Sequence, residues 1–334
     1  MKEAQLYVKL ENNKVVCQLC AHGCKIQNGK FGFCAVRQNI NGILCTHNYG
    51  RLIAMNLDPV EKKPLYHFFP GSKAFSIACA GCNFRCGFCQ NWQISQVNFT
   101  NQNPGKDIYA QDLVDLVKQS DCKTIAYTYT EPTIYFEFAL EVMKLAKDSG
   151  LCNIFVSNGY MTKEAIFLLR PYLDAINIDL KFFKEGSYKK VCSARLKPVL
   201  DSIQLFAAAG VWIEITTLLI PGENDTKEEL TGIAKFIAKL NKDIPWHISC
   251  FHPDYKFTSY LRTPERTLKL AYDLGRSEGL HYVYVGNLEG WGQDTICNQC
   301  KKVLIKRKGF KVIESHIFGN KCLFCQAILP GIYI

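Results

Sequence analysis

The sequence predicts an α/β fold: a partial (β/α)6-type, TIM-like barrel with a small Cys-rich element at each end. Three observations predict it. Short β-branched and aromatic runs alternate with helix-periodic segments across residues 74–296. The runs are largely continuous in apolar character, as parallel strands covered on both faces are. The 17 Cys gather at residues 17–45, 79–89 and 297–325, leaving Cys122, Cys152, Cys192 and Cys250 standing alone. The chain therefore divides into 1–70, 71–296 and 297–334.

Residues 1–70 hold no long helical pattern and read as short strands and turns around Cys and Gly. Strands are expected at 74–78, 124–128, 152–156, 175–179, 211–218, 246–250 and 281–285. Helices are expected between them at 107–119, 133–149, 162–170, 196–209, 226–241 and 263–278. Asp225-Thr226 ahead of Glu228-Glu229, and Thr263-Pro264-Glu265, are helix starts; Gly150, Gly210 and Gly279 follow helix ends. Seven strands with six intervening helices suit a barrel or partial barrel better than an open sheet. Residues 297–334 carry two Cys pairs around a basic, β-like stretch.

Composition narrows the class. Of 334 residues, 48% are hydrophobic and 21% charged, which is a globular balance. No run of about 18 apolar residues predicts a membrane span. Met1-Lys2-Glu3-Ala4-Gln5 lacks the basic-then-apolar character of an export signal. Short-spaced Cys in such a chain read as metal ligands rather than a disulfide framework, so a reducing, cytoplasmic setting is expected. The net charge of +10 resides in the ends: residues 1–70 carry +5, residues 297–334 carry +6 and the middle −1. Basic ends can attract nucleic acid or balance metal-bound thiolates. The second reading is favoured, since neither end shows a nucleic-acid module.

The decisive segment is Gly81-Cys82-Asn83-Phe84-Arg85-Cys86-Gly87-Phe88-Cys89-Gln90-Asn91-Trp92, directly after the first barrel strand. Three thiolates at this spacing can wrap one compact inorganic cluster. A [4Fe–4S] cube normally takes four, so three leave one iron open for chemistry. The competing assignment is a zinc site with Cys79 as fourth ligand. Barrel enzymes place their chemistry at the carboxyl ends of strands, and other strand ends carry polar groups there too. They are Thr128-Tyr129-Thr130-Glu131-Pro132, Ser157-Asn158-Gly159, Asp179-Leu180-Lys181, Cys250-Phe251-His252-Pro253 and Val285-Gly286-Asn287.

With Phe88 before its third Cys, the motif resembles the signature of the radical S-adenosylmethionine superfamily. The resemblance implies that Cys82, Cys86 and Cys89 hold a [4Fe–4S] cluster whose open iron binds S-adenosylmethionine. One electron then cleaves the sulfonium to methionine and a 5′-deoxyadenosyl radical, which abstracts hydrogen from a substrate. The cofactor presents an ammonium, a carboxylate, a ribose diol and an adenine. Glu131 suits the ammonium and Lys181 the carboxylate. Asn158 and Asp179 suit polar ligand atoms, and Trp92 or the Gly286 backbone can flank adenine. The family's Gly-Gly-Glu-Pro stands here as Tyr129-Thr130-Glu131-Pro132, without the glycines. Asp179-Leu180-Lys181 and His252 resemble the glycyl-radical-activase branch, typified by pyruvate formate-lyase activating enzymes.

At the C-terminus, Cys297-x2-Cys300 and Cys322-x2-Cys325 stand 21 residues apart, a zinc-ribbon-like pattern whose four thiolates close a structural site. Rubredoxin-like iron or an Fe–S cluster are the alternatives, and His316 is an unneeded fifth candidate. At the N-terminus, Cys17, Cys20, Cys24 and Cys34 can bind zinc or a second cluster, with His22 able to replace one of them.

The segments Cys17–Cys34, Asp58–Phe68 and Gly81–Ser95, with the terminal Cys pairs, together resemble the radical enzyme of the AmmeMemoRadiSam system. That resemblance implies company with MEMO-type and AMMECR-type proteins, a flavodoxin- or ferredoxin-like electron donor, and a protein, peptide or small-molecule substrate. The contrasting function class is a non-catalytic, metal-scaffolded nucleic-acid-binding protein, which has no need of the polar residues expected at the barrel rim.

Overall fold

The computed structural model describes residues 1–97 and 104–333. Seven parallel strands form its centre: β1 (Lys73–Cys79), β2 (Thr124–Tyr127), β3 (Cys152–Ser157), β4 (Ala175–Asp179), β5 (Trp212–Leu219), β6 (Trp246–Cys250) and β7 (Val283–Gly286). Each pairs with the next in sequence order. β2 and β6 are buried along their whole length, which is why they read as unbroken apolar runs. Among the described residues the longer crossover helices are α1 (Ala110–Lys118), α2 (Phe136–Asp148), α3 (Lys163–Leu169), α4 (Leu196–Ala208), α5 (Lys227–Leu240) and α6 (Glu265–Ser277). The architecture is the expected partial barrel. β7 ends the sheet on one side among the described residues, and the strand Arg51–Pro59 lies antiparallel against β1 on the other.

Local chemistry sets several boundaries. Helix periodicity begins at 133, but the first turn, Pro132–Tyr135, is a 3-10 turn capped by Glu131, which accepts the Thr133 N–H. The Thr226 side chain caps α5 through the Glu229 N–H, as its sequence suggests. Glu229 does not complete a capping box; its carboxylate takes the Phe183 N–H at 2.7 Å and fixes the chain after β4. Thr263, read as a helix start, instead bonds Phe251 N and Leu219 O, and Pro264 stands at the N-cap.

Before the barrel, two small three-stranded antiparallel sheets form the N-terminal element. A buried ion pair between Arg37 and Glu137 at the start of α2 clamps it to the barrel, each side chain only 1% exposed. After the barrel, Val303–Lys308 and Lys311–Ser315 form a hairpin that inserts Arg307 beneath the barrel. There Arg307 donates to Tyr66 O at 2.9 Å and Thr295 Oγ1 at 2.8 Å. Among the described residues no helix is long and apolar enough to cross a membrane.

Candidate active site

A cavity of about 570 Å³ runs down the inside of the barrel. Cys82, Cys86 and Cys89 line it at the carboxyl ends of the strands, with Glu131, Asn158, Asp179, Lys181 and Gly286 on the same wall. Five strand ends distant in sequence thus deliver these residues to one chamber.

The loop that carries the three thiols is shaped by close approach. Gly81 has φ +105°, and a Cβ there would lie 2.6 Å from Val36 Cγ1. A Cβ on Gly87 would lie 2.4 Å from the Phe257 ring. The thiols meet donors suited to thiolates: Phe84 N–H donates to Cys82 Sγ at 3.3 Å, and Ser95 Oγ lies 3.2 Å from Cys89 Sγ. Without metal, burial raises all three thiols' pKa values, and for Cys86 the largest cause is a hydrogen bond with Cys192. Metal coordination must therefore displace protons as it binds.

Cys79 does not complete this group. It is fully buried at the end of β1 and lies outside the cavity wall, while its carbonyl accepts the Thr130 hydroxyl at 2.7 Å. The alternation of β1 turns its side chain into the core beside Tyr135. Three thiols that share a chamber with polar groups fit a cluster with one open iron; a closed four-thiolate zinc site using Cys79 does not fit.

Glu131 organises the wall. Its Oε1 accepts from Thr133 N, Thr133 Oγ1 and Ser157 Oγ, while Oε2 accepts, among the described residues, only the Asn158 N–H at 2.8 Å. Oε2 therefore keeps spare acceptor capacity in a residue that lines the cavity. Burial raises the Glu131 pKa against these donors. Asn158 bonds Asn83 Oδ1 at 2.7 Å, tying the end of β3 to the Cys loop. Lys181 pairs with Asp179 at 2.8 Å. Burial works against its charge, yet Asp179 and the thiols of Cys86 and Cys192 carry its pKa well above the ordinary value.

Two expected contacts stand elsewhere. Trp92 is absent from the cavity wall and stacks on Tyr255, ring centres 5.1 Å apart. His252 is exposed and meets Gln90 at 3.3 Å. Tyr129 occupies a left-handed backbone position, φ +63°, in place of a family glycine. The turn survives because its hydroxyl donates to Asp58 and Lys63 sits over its ring at 4.4 Å.

Some residues that back the wall were not legible as such. Asn83 is fully buried, its carbonyl facing His22 Nε2 at 2.7 Å, and Cys192, isolated in sequence, meets Cys86. The lower wall contains Lys63, Tyr66, Thr216, His247 and Phe310. The signal for it was polar residues inside apolar strands: Glu214 in β5 and His247 in β6 bond each other at 2.6 Å, fully buried or nearly so.

The terminal Cys residues behave differently from one another. Cys297, Cys300, Cys322 and Cys325 place all four sulfurs within 4.8 Å of one another, a group compact enough to hold a metal ion. His316 is not among them; its ring packs on Phe324. Cys17, Cys20, Cys24 and Cys34 are gathered in the N-terminal element but are not that compact.

A parallel partial barrel with a three-thiol loop opening into a polar chamber is the architecture of an iron–sulfur-dependent enzyme. The family model described as the radical SAM superfamily matches residues 76–237, from β1 into α5. An uncharacterized protein of Methanocaldococcus jannaschii is 42% identical over 97% of this chain and 98% of its own length. The pyruvate formate-lyase-activating enzyme of Clostridium pasteurianum is 22% identical over 48% of this chain and 67% of its own. The crystal structure of a radical SAM methyltransferase from Sphaerobacter thermophilus shares the fold at a TM-score of 0.52. It is 14% identical, over 65% of this chain and 67% of that one. This chain belongs to the radical SAM superfamily, whose enzymes use a [4Fe–4S] cluster and S-adenosylmethionine.

Proposed function

We propose that the protein reductively cleaves S-adenosylmethionine and uses the resulting radical to abstract hydrogen from a substrate. The observation that carries this reading is the convergence of Cys82, Cys86 and Cys89 with Glu131, Asn158, Asp179 and Lys181 on one cavity. The cluster, when bound by the three thiolates, supplies the electron that breaks the sulfonium bond to give a 5′-deoxyadenosyl radical. The chain's own groups bind and orient. Glu131 Oε2 takes the cofactor ammonium, and Lys181, held charged by Asp179, takes its carboxylate. The Gly286 backbone, where a Cβ would approach Ser249 Oγ to 3.0 Å, leaves room for the adenine face. Tyr66, whose carbonyl accepts from Arg307 at 2.9 Å, lines the lower cavity with Phe310, where a substrate radical needs shelter.

The finer assignment is to the AmmeMemoRadiSam type, acting with MEMO-type and AMMECR-type proteins and a flavodoxin- or ferredoxin-like donor. The Asp58–Phe68 segment supports it, since it is largely buried and its Glu61, Lys62, Lys63, Pro64 and Tyr66 line the chamber. A single zinc ion at Cys297, Cys300, Cys322 and Cys325 is part of the reading. Sulfur pairs there at 3.7 and 3.8 Å match the roughly 3.8 Å edge of a tetrahedron with ~2.3 Å bonds. All 17 cysteines are free, which suits a reducing cytoplasm. The similarity to pyruvate formate-lyase-activating enzymes favours one narrower alternative, an activase that places the radical on a partner protein's glycine.

The test is anaerobic reconstitution with iron and sulfide, then reduction and mass-spectrometric assay for 5′-deoxyadenosine. Wild type releases it. Cys86→Ser loses both the visible iron–sulfur absorption and the cleavage; cleavage that persists in that variant overturns the assignment.

A further inference from the structure

Four cysteines of the N-terminal element meet in space although turns separate them. Cys17 ends the short strand Val15–Cys17 and donates its N–H to Cys24 O at 2.9 Å. Cys24 Sγ in turn accepts the Phe33 N–H at 3.4 Å, next to Cys34. Cys17 Sγ accepts from the Arg37 guanidinium at 3.6 Å. Cys20 lies among the other three, close enough to interact with Cys17, Cys34 and Cys24. Cys17 and Cys24 sulfurs thus already accept from a buried guanidinium and a backbone N–H, the kind of donors that surround metal-bound sulfur.

Their spacing differs from that at the other end of the chain. Four thiolates on a single ion crowd together, as Cys297, Cys300, Cys322 and Cys325 do. Thiolates that bind separate irons of a cluster stand farther apart. Among the described residues, neither Cys82, Cys86 and Cys89 nor the N-terminal four form a group as compact as the C-terminal one. The N-terminal four are, like the cluster loop, less compact than the four that would close on a single ion.

The element also backs directly onto that loop. His22, between Cys20 and Cys24, meets Asn83 O at 2.7 Å, and Asn83 follows Cys82. Arg85 donates to Phe33 O at 2.5 Å. The space beside Gly81 is closed by Cys34 O, 3.7 Å from where a Cβ would stand.

We propose that Cys17, Cys20, Cys24 and Cys34 hold a second [4Fe–4S] cluster, which relays electrons to the site at Cys82, Cys86 and Cys89. In the relay, a reduced flavodoxin or ferredoxin gives up one electron to the N-terminal cluster, which passes it across the His22–Asn83 contact. The donor ends one electron oxidised and the cluster at the barrel one electron reduced. The relay rests on the proposed function, whereas the cluster site is tested without it.

Metal analysis of anaerobically reconstituted full-length chains decides the site. Wild type should hold about eight irons and the Cys82/Cys86/Cys89→Ser variant about four, on a count of four per cluster. That variant should also show an electron paramagnetic resonance signal, once reduced, that S-adenosylmethionine leaves unchanged. The Cys17/Cys20/Cys24/Cys34→Ser variant should hold about four irons. An iron-free Cys82/Cys86/Cys89→Ser variant, or one carrying a second zinc, overturns the site whether or not wild type makes 5′-deoxyadenosine. For the relay, the N-terminal variant should keep dithionite-driven cleavage and lose at least tenfold of flavodoxin-driven cleavage. Equal rates with flavodoxin overturn it. If the N-terminal variant does not fold, His22→Phe in the intact chain carries the same comparison, with undiminished flavodoxin-driven cleavage counting against the relay.

Discussion

At the scale of single residues, the cluster loop depends on positions that tolerate no side chain. Alanine at Gly81 would meet two penalties: a left-handed backbone, costing about 1–2 kcal/mol, and a clash with Val36 worth about 1–3 kcal/mol. Gly81→Ala is expected to lower the melting temperature and to retain iron poorly. Adding Val36→Ala should recover the steric part only, so the double variant falls between, as thermal denaturation and iron content will show. Tyr129 illustrates the reverse case. Strain of about 1–3 kcal/mol is held in place by a hydroxyl bond to Asp58 and by Lys63 over the ring. The motif Gly81–Trp92 was legible in sequence because spacing alone defines three ligands on one loop. The Cys86–Cys192 contact was not, because it joins residues 106 positions apart whose meeting depends on the turn after β4.

At the scale of elements, the barrel was readable because parallel strands buried on both faces leave continuous apolar runs, and their carboxyl ends must share a rim. What attaches the N-terminal element to that barrel was not readable. Arg37 and Glu137 are 100 residues apart and look like ordinary surface charges until α2 docks. Breaking one partner of a buried pair leaves an uncompensated charge, at a cost of about 3–5 kcal/mol. Glu137→Ala should therefore destabilise the whole chain by that order in urea denaturation, and limited proteolysis should cut first within residues 1–50. The Arg37→Met/Glu137→Met double variant should be much closer to wild type, because no charge is then stranded. Trp92 and His252 mark the limit of rim arguments: a strand end places a residue near the chamber, but its neighbours Tyr255 and Gln90 decide where its ring turns.

At the scale of the whole molecule, both ends of the chain close the bottom of the barrel around His67. Its ring meets Tyr284 Oη at 2.6 Å and Pro330 O at 2.8 Å. Burial, partly opposed by Glu214, lowers its pKa to about 4. The sign follows from linkage: between pH 6.5 and 4 the unfolded chain binds a proton there that the folded chain refuses. Stability from this site is full above pH 6.5 and falls as pH drops through that window, by about 3 kcal/mol in all. His67→Gln should flatten that part of the stability-versus-pH profile measured by chemical denaturation; an unchanged slope would show that other groups set it.

By itself the sequence determined the class of chemistry, the order of strands and helices, and the three thiols on which the cluster reading rests. These are local facts of spacing and periodicity, written within a dozen residues at a time. Only the tertiary structure decided which polar residues face the chamber, that Cys79 turns away from it, and that Glu61–Pro64 and Tyr66 line it with Arg307 bonded behind. Those outcomes depend on how distant segments pack, where burying one charge or ring selects the orientation of the next, and spacing along a chain carries no record of that.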